Sequence, residues 1–288
     1  MTANILISPG QLTQMTNSLP TVILDTRSPE AYAAGHIPGA VNLHDIFTFL
    51  ATSSKEGLEE LRDKFAAAFG EAGLSGEEVA IIYEDSMNTG FGQSCRGYFL
   101  LEFLGYPKAA ILHGGYQAWL AENLPTSTDI PTPEAKSFPI DEAASSVMLT
   151  ADDMLAVLDK PEVVKLDVRD VDEWVGTSSS PYGIDFCPRK GRIPGAVWLE
   201  WYRMMKPGEE VPVFKSKEQI QAECATVGIS PESTVYLYCF KGARASNTFV
   251  ALKEAGVKDV RMYFGSWSEW SRNPDLPIES GHATWEVA

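Results

Sequence analysis

The chain of 288 residues contains the same motifs twice, and this internal repeat restricts its fold more than any other feature. "VILDTRSPEAYAAGHIPGAVNL" (22–43) aligns with "VVKLDVRDVDEWVG" and "GRIPGAVWL" within 163–199. "HGGYQAW" (113–119) aligns with "YFGSWSEW" (263–270). Two copies of this length predict two domains, each large enough to bury a core of its own.

The second copy is longer than the first by one insert. Asp25 and Asp167 are 142 positions apart, whereas Gly39 and Gly195 are 156 positions apart, so the second copy has 14 additional residues. The insert lies near "TSSSPYGIDFCPRK" (177–190).

A proline-rich segment separates the two copies. Residues 125–146 contain four prolines and few large apolar residues, which predicts an extended linker across the surface. The predicted domains are therefore 1–124 and 147–288.

Each copy alternates short apolar runs with helical stretches, as α/β units on a parallel sheet do. In the second copy, 163–166, 235–238 and 260–264 are predicted strands. Residues 245–255 are a predicted helix, because apolar residues recur at helical spacing and Gly256 suits the C-terminal stop.

Composition limits the classes of function. The formal net charge of −16 argues against broad binding to nucleic acid or anionic membranes. The first residues, "MTANILISPG", lack the basic and apolar regions of a signal peptide, so we expect a soluble cytoplasmic protein. The four cysteines form no C-x-x-C pair, and neither zinc-ligand spacing nor another metal or cofactor motif is present.

The segment "VYLYCFKGARASNTFVALKEAG" (235–256) places Cys239 between a predicted strand and a predicted helix. In open α/β sheets ligands bind at this edge, where a helix N-terminus directs N–H groups at anions. Lys241 and Arg244 add two positive charges, which should favour the thiolate form of Cys239. Gly242 permits the tight turn. The alternative is a buried cysteine that packs as a small apolar residue, which leaves the flanking basic residues unexplained.

These motifs resemble those of the rhodanese family. "GRIPGAVWL", "YCFKGARAS" and "YFGSWSEW" are similar to one rhodanese domain, and the first copy is similar to a second. The resemblance implies an α/β fold with two rhodanese-like domains, each a mainly parallel sheet with helices on both faces. It implies a catalytic second domain and a catalytically silent first domain, because Glu84 aligns with Cys239.

The resemblance also implies a sulfurtransferase that needs no cofactor. Cys239 would take a sulfur atom from a small anionic donor such as thiosulfate and form a persulfide. Lys241 and Arg244 would bind the oxyanion end of the donor, and cyanide, a thiol or a thioredoxin-like protein would accept the sulfur. The persulfide would be held by the backbone of the loop and helix start, which comprise Phe240, Lys241, Gly242, Ala243 and Arg244.

The sequence leaves three alternatives open. The first is a 3-mercaptopyruvate sulfurtransferase. "CFKGAR" shares Lys241 and Gly242 with the loop of thiosulfate enzymes but matches neither that loop nor the loop of 3-mercaptopyruvate enzymes fully. A persulfide carrier that serves a protein partner is a second alternative. A phosphatase is the third, although the C-x4-R spacing is shorter than the C-x5-R loop of cysteine-dependent phosphatases.

Basic residues near the insert are further candidates for donor binding. Arg189 and Lys190 end the insert, and Arg192 occupies the position of His36 in the first copy. The alternative for these residues is a solvated basic turn. Trp267 is a candidate pocket residue, with the core as the alternative.

The remaining polar pairs and cysteines receive structural interpretations. Asp25 with Arg27, and Asp167 with Arg169, are predicted ion pairs at strand ends. Cys224 is predicted to pack in a helix, and Cys95 follows a Gly-rich loop without a Walker lysine. Cys187, in the insert, is a candidate disulfide partner of Cys239.

Overall fold

The computed structural model describes residues 4–141 and 146–280. The chain divides into two compact units, and each unit includes one short segment from the other half of the sequence. The first unit comprises Met1–Phe49, Lys55–Val147 and Met204–Lys215. The second unit comprises Leu50–Ser54, Met148–Arg203 and Ser216–Ala288.

Strands and helices alternate along the described residues. The strands are β1 (Leu6–Ile7), β2 (Thr21–Asp25), β3 (Val41–Asn42), β4 (Val79–Tyr83), β5 (Ala109–Leu112), β6 (Met148–Leu149), β7 (Val163–Asp167), β8 (Val197–Trp198), β9 (Met205–Lys206), β10 (Val213–Phe214), β11 (Thr234–Tyr238) and β12 (Asp259–Tyr263). The helices are α1 (Pro9–Ser18), α2 (Pro29–Ala34), α3 (Asp45–Thr48), α4 (Lys55–Glu71), α5 (Gln93–Phe103), α6 (Gly115–Ala121), α7 (Ala151–Leu155), α8 (Val171–Trp174), α9 (Lys217–Ala225), α10 (Ala243–Glu254) and α11 (Ser266–Trp270).

Two five-stranded parallel sheets have the same topology. The first has the order β1-β5-β4-β2-β3, and the second has the order β6-β12-β11-β7-β8. Each strand of the second sheet takes the position that its counterpart takes in the first sheet. The repeat in the sequence is therefore also a repeat of the fold. The predicted α/β class, with mainly parallel sheets and helices on both faces, is confirmed.

The predicted elements around Cys239 are present, with small shifts at their ends. β7, β11 and β12 cover the predicted strands, and α10 begins at Ala243 rather than at residue 245. The helix starts earlier because Gly242 adopts a φ of 90°, which turns the chain directly from the loop into the first helical residue.

Both faces of the sheets are covered, so the central strands are buried almost completely. Ile81 and Ile82 of β4, and Val235 and Leu237 of β11, have no exposed surface. Uninterrupted apolar runs of this kind are typical of parallel strands with helices on both sides. They explain why period-two alternation is weak in the sequence.

Residues 125–141, the described part of the predicted linker before its gap, run along the first unit as extended chain and form no helix or long strand. Ser127 forms an isolated antiparallel bridge with His36, and the Phe138 ring stacks on Tyr106 at 5.2 Å. Lys136 N donates to the carbonyl of Gly70. Residues 142–145 of the linker lie outside the described residues. Within the part of the chain that is described, no helix is both long and apolar enough to cross a membrane.

Candidate active site

Cys239 lies at the carboxyl end of β11, in the tight loop that leads to α10. Its side chain is 1% exposed, and Gly242 N donates to the Cys239 sulfur over 3.1 Å. The sulfur therefore faces the N-terminus of a 12-residue helix, where the dipole and the first N–H groups stabilise negative charge. The predicted surroundings of the cysteine, a strand end and a helix N-terminus, are present.

The loop requires glycine at position 242. Its φ of 90° is disfavoured for residues with a side chain, and an added Cβ would lie 3.3 Å from the ring of Phe264. A substitution here would displace the N–H group that contacts the sulfur. Gly242 thus fixes the geometry of the loop and places its own N–H group on the sulfur.

A second loop, at the start of α11, holds the backbone of Cys239. Trp267 N and Ser268 N donate to the carbonyls of Cys239 and Phe240 at 3.0 and 2.9 Å. Ser266 Oγ accepts a hydrogen bond from Cys239 N at 3.2 Å and donates to the carbonyl of Tyr263 at 2.8 Å. Ser266 has a φ of 54°, which is strained for a serine. Nothing in the sequence near Cys239 indicated a role for Ser266.

An ion pair and a tyrosine fix the strand ends beneath the cysteine. Arg169 donates to both carboxylate oxygens of Asp167, and Tyr238 Oη donates to Asp167 Oδ2 at 2.7 Å. Burial and the charge of Asp167 raise the pKa of Tyr238 well above its usual value, so the hydroxyl keeps its proton and remains a donor. Because Tyr238 precedes Cys239, this network positions the start of the loop.

Arg244 lies in the first turn of α10, but its guanidinium contacts carboxylates of the protein. Its Nη1 and Nη2 donate to the two oxygens of Glu173 at 2.7 and 3.2 Å, and Nη1 lies 3.0 Å from Asp170 Oδ1. Burial alone would lower the pKa of Arg244, but Glu173 outweighs burial and raises it. The side chain is buried and paired, and its role in donor binding stays a prediction.

The three basic residues near the insert also contact the protein. Arg189 donates to the backbone carbonyls of Trp270, Ser271, Asn273 and Leu276, and so holds the segment after α11.

Arg192 pairs with the carboxylate of Glu279, and the exposed Lys190 donates to the carbonyl of Thr177 at 2.8 Å. Each of these three cations has a partner within the chain. Their role in donor binding stays a prediction.

Trp267 belongs to the core beneath the loop. It has no exposed surface, its indole N–H donates to the carbonyl of Arg189 at 3.0 Å, and Arg169 lies 4.5 Å from its ring centroid. Trp267 therefore supports the loop from below, in agreement with the alternative core interpretation of this residue.

Lys241 lines a cleft of about 360 Å3 beside the cysteine loop. The walls contain Leu50, Ala51, Thr52, Phe264, Gly265, Ser268, Glu269 and Arg272. Arg272 is a second cation of this cleft, and its Nη1 donates to the carbonyl of Ser268 at 2.6 Å. No sequence motif indicated Arg272, because it follows α11 and is far from Cys239 in the chain.

The first copy has the same framework without a thiol at this position. Glu84 follows β4 and has no exposed surface, and burial raises the pKa of its carboxyl to about 8. Its Oε2 accepts a hydrogen bond from Ser94 N at 3.3 Å. A carboxyl group cannot form a persulfide, so the thiol chemistry is available only at Cys239 among these two positions.

The other three cysteines are buried and unpaired. Cys187 has no exposed surface and shares an apolar cluster with Phe240 and Trp267. Burial raises the pKa of the Cys187 thiol. A disulfide between Cys187 and Cys239 is not formed in this structure and stays a prediction for oxidising conditions.

Comparisons with known proteins agree on the family. The model of the rhodanese-like domain matches residues 8–122 and again residues 150–273. A thiosulfate sulfurtransferase from Azotobacter vinelandii is 30% identical over 278 residues, which cover 96% of this chain and 97% of the relative. A sulfur carrier protein, TtuD of Thermus thermophilus, is 27% identical over 256 residues and 87% of each chain.

A solved structure shares the whole fold. The anaerobic ergothioneine biosynthesis enzyme from Chlorobium limicola, in complex with trimethyl histidine, superposes with a TM-score of 0.82 at 24% identity. The match covers 98% of this chain and 71% of that chain. The two matches to the domain model together span most of this chain. The chain therefore belongs to the rhodanese family of sulfurtransferases.

Proposed function

We propose that this protein transfers sulfane sulfur from thiosulfate to a thiophilic acceptor through a persulfide on Cys239. The observation that carries this proposal is the hydrogen bond from Gly242 N to the Cys239 sulfur at the N-terminus of α10. A helix N-terminus favours negative charge beside it, and the thiolate is the nucleophilic form of a cysteine.

The reaction has two steps that regenerate the enzyme. The Cys239 thiolate attacks the outer sulfur of thiosulfate, the sulfur–sulfur bond of the donor breaks, and sulfite leaves with the electron pair. Cyanide or a thiolate then attacks the outer sulfur of the persulfide, and Cys239 leaves as a thiolate. The first N–H groups of α10 have no acceptor within the helix and are suited to hold the terminal sulfur.

The cleft beside the loop is the proposed donor site. Lys241 and Arg272 supply positive charge in its wall, as a dianionic donor requires, while Glu269 lies on the same wall. The curated relatives named as thiosulfate sulfurtransferases also favour thiosulfate. A cleft of about 360 Å3 exceeds what thiosulfate needs, so 3-mercaptopyruvate is the second candidate donor.

Mass spectrometry of the intact protein after incubation with thiosulfate tests the covalent step. We expect a gain of one sulfur atom that maps to Cys239 and is removed by cyanide with formation of thiocyanate. Cys239→Ser should lose both, whereas Cys224→Ser, at a buried cysteine in α9, should retain both. Sulfur on another cysteine, or none at all, would refute the proposal.

Three measurements separate the alternatives. Parallel rates with 3-mercaptopyruvate identify the better donor. A carrier, as the name of the Thermus thermophilus relative describes, would show rapid loading of Cys239 but negligible thiocyanate turnover. Hydrolysis of an aryl phosphate without sulfur transfer would instead support a phosphatase.

A further inference from the structure

The insert of the second copy exposes three large apolar side chains. Tyr182, Ile184 and Phe186 are 51%, 61% and 42% exposed, and together they form what we call the insert patch. The first copy has no corresponding residues, because its chain passes directly from α2 to the "GHIPGA" motif. The patch is therefore present only in the copy that carries the cysteine.

The insert patch contacts the cysteine loop. The rings of Tyr182 and Phe186 lie 5.3 and 6.5 Å from the ring of Phe240, the residue after Cys239. Lys241 Nζ lies 5.5 Å from the Tyr182 ring centroid. The insert patch thus contacts the two residues that follow Cys239 in the chain.

The turn of the insert closes without the exposed parts of these side chains. Ser180 Oγ donates to the carbonyl of Gly183, Cys187 N donates to the same carbonyl, and Tyr182 N donates to Ser180 Oγ. Cys187 anchors the turn in the core. Since the turn is closed by hydrogen bonds and by one buried thiol, the apolar surface requires another explanation.

The exposure of the patch favours a large partner over a small one. Ile184, the most exposed of the three, projects into solvent, whereas small ligands bind in concave sites that cover them. Cyanide and thiosulfate are small polar anions that gain nothing from apolar contacts. Tyrosine and phenylalanine are enriched where proteins bind proteins, and exposed apolar clusters mark such surfaces.

We propose that the insert patch docks a protein that accepts sulfur from Cys239 and carries its thiol within an apolar surface. This inference rests on the proposed function, because the patch contacts Phe240 and Lys241, which follow the cysteine that would carry the sulfur. The partner thiolate attacks the outer persulfide sulfur, the sulfur–sulfur bond breaks, and Cys239 leaves as a thiolate. The proton of the partner thiol goes to solvent, and no oxidant or reductant is required.

Transfer to acceptors of different size tests this proposal, with reduced thioredoxin as the protein acceptor and dithiothreitol and cyanide as the small acceptors. The wild type should transfer sulfur faster per thiol to thioredoxin than to dithiothreitol. The triple variant Tyr182→Ser, Ile184→Ser, Phe186→Ser should lose about tenfold in kcat/KM for thioredoxin, because contacts at the centre of an interface carry its affinity. Its thiocyanate formation from cyanide should stay within about twofold of the wild type.

A matched control removes equally exposed apolar side chains from the first unit. Leu19, Ile130 and Ile140 are 49%, 74% and 42% exposed, and their replacement by serine should leave transfer to all three acceptors unchanged. The single variant Ile184→Ser repeats the test with the smallest disturbance of the fold and should still slow transfer to thioredoxin.

The outcomes separate the two proposals. If thioredoxin is not preferred over dithiothreitol, or if the patch variants slow all acceptors equally or none, the docking role is refuted while thiocyanate formation stands. If Cys239 gains no sulfur, the proposed function fails, and the docking role fails with it.

Discussion

The two copies share a framework but differ in the residue that comes directly after the central strand. Asp25 with Tyr83, and Asp167 with Tyr238, form the same hydrogen bond between adjacent strand ends. Beyond this shared base, the first copy buries Glu84 and the second buries Cys239. The framework is therefore compatible with either a carboxyl group or a thiol, and the loop residues decide which chemistry is available.

The variant Glu84→Gln replaces a carboxyl group of the first copy that can ionise. The pKa of this carboxyl is raised from 4.5 to about 8, so the folded state keeps the proton to a higher pH than the unfolded state. The free energy of unfolding should therefore be unaffected below about pH 4.5 and fall as the pH rises toward 8. Glu84→Gln should lack this fall and gain up to about 5 kcal/mol at alkaline pH.

Calorimetry at pH 5 and pH 9 measures this difference. The variant and the wild type should melt at similar temperatures at the lower pH, and the variant should melt higher at the upper pH. Parallel pH dependence of the two melting temperatures would show that Glu84 does not titrate in this way.

The second copy has a buried ion pair that the first copy lacks. Glu173 and Arg244 are paired and buried. In the first copy, Ala31 aligns with Glu173, and Ser94, the second residue of α5, corresponds to Arg244, the second residue of α10. Glu173→Ala should cost about 3 kcal/mol in urea unfolding, because it leaves a buried guanidinium with less compensation.

The double variant Glu173→Ala, Arg244→Ser reproduces the residues of the first copy and serves as the control. It should be more stable than Glu173→Ala alone, since neither charge remains buried without its partner. If the double variant is the less stable of the two, Arg244 stabilises the fold through contacts other than Glu173.

The smallest expected effect concerns the residue at the start of the last helix of each copy. Gly115 has a φ of 66° and Ser266 has a φ of 54° at the same position. Ser266→Gly should lower kcat/KM for thiosulfate about fivefold through loss of a hydrogen bond to Cys239 N, without lowering the melting temperature. Ser266→Ala keeps the strained backbone and should lower both values. If Ser266→Gly retains full activity, the hydroxyl does not position the loop.

The sequence predicted the elements that depend on local pattern. The repeat predicted two similar sheets, apolar runs predicted β7, β11 and β12, and Gly242 with its basic neighbours indicated the turn after Cys239. Such features are read from neighbouring residues, so they require no knowledge of distant contacts. The domain bounds predicted at 124 and 147 stay predictions, and the exchanged segments Leu50–Ser54 and Met204–Lys215 had no signal in the sequence.

The partners of the charged side chains could not be predicted in the same way. Arg189, Arg192 and Arg244 had the expected charge near the expected motifs, yet their guanidinium groups contact Leu276, Glu279 and Glu173 respectively. These contacts join residues that are more than 70 positions apart. A charge that is removed from water must be paired or hydrogen-bonded, and only the folded chain shows which carboxylates and carbonyls are near.

The sequence by itself determined the repeated α/β fold, the single cysteine at a strand end, and the absence of a thiol at Glu84. The tertiary structure decided that Gly242 N contacts the sulfur, that Ser266 holds the cysteine backbone, and that Lys241 and Arg272 share one cleft. The physical reason is that periodicity and turn chemistry act over a few residues. Hydrogen bonds and charge pairs at a site depend instead on which distant segments the packing brings together.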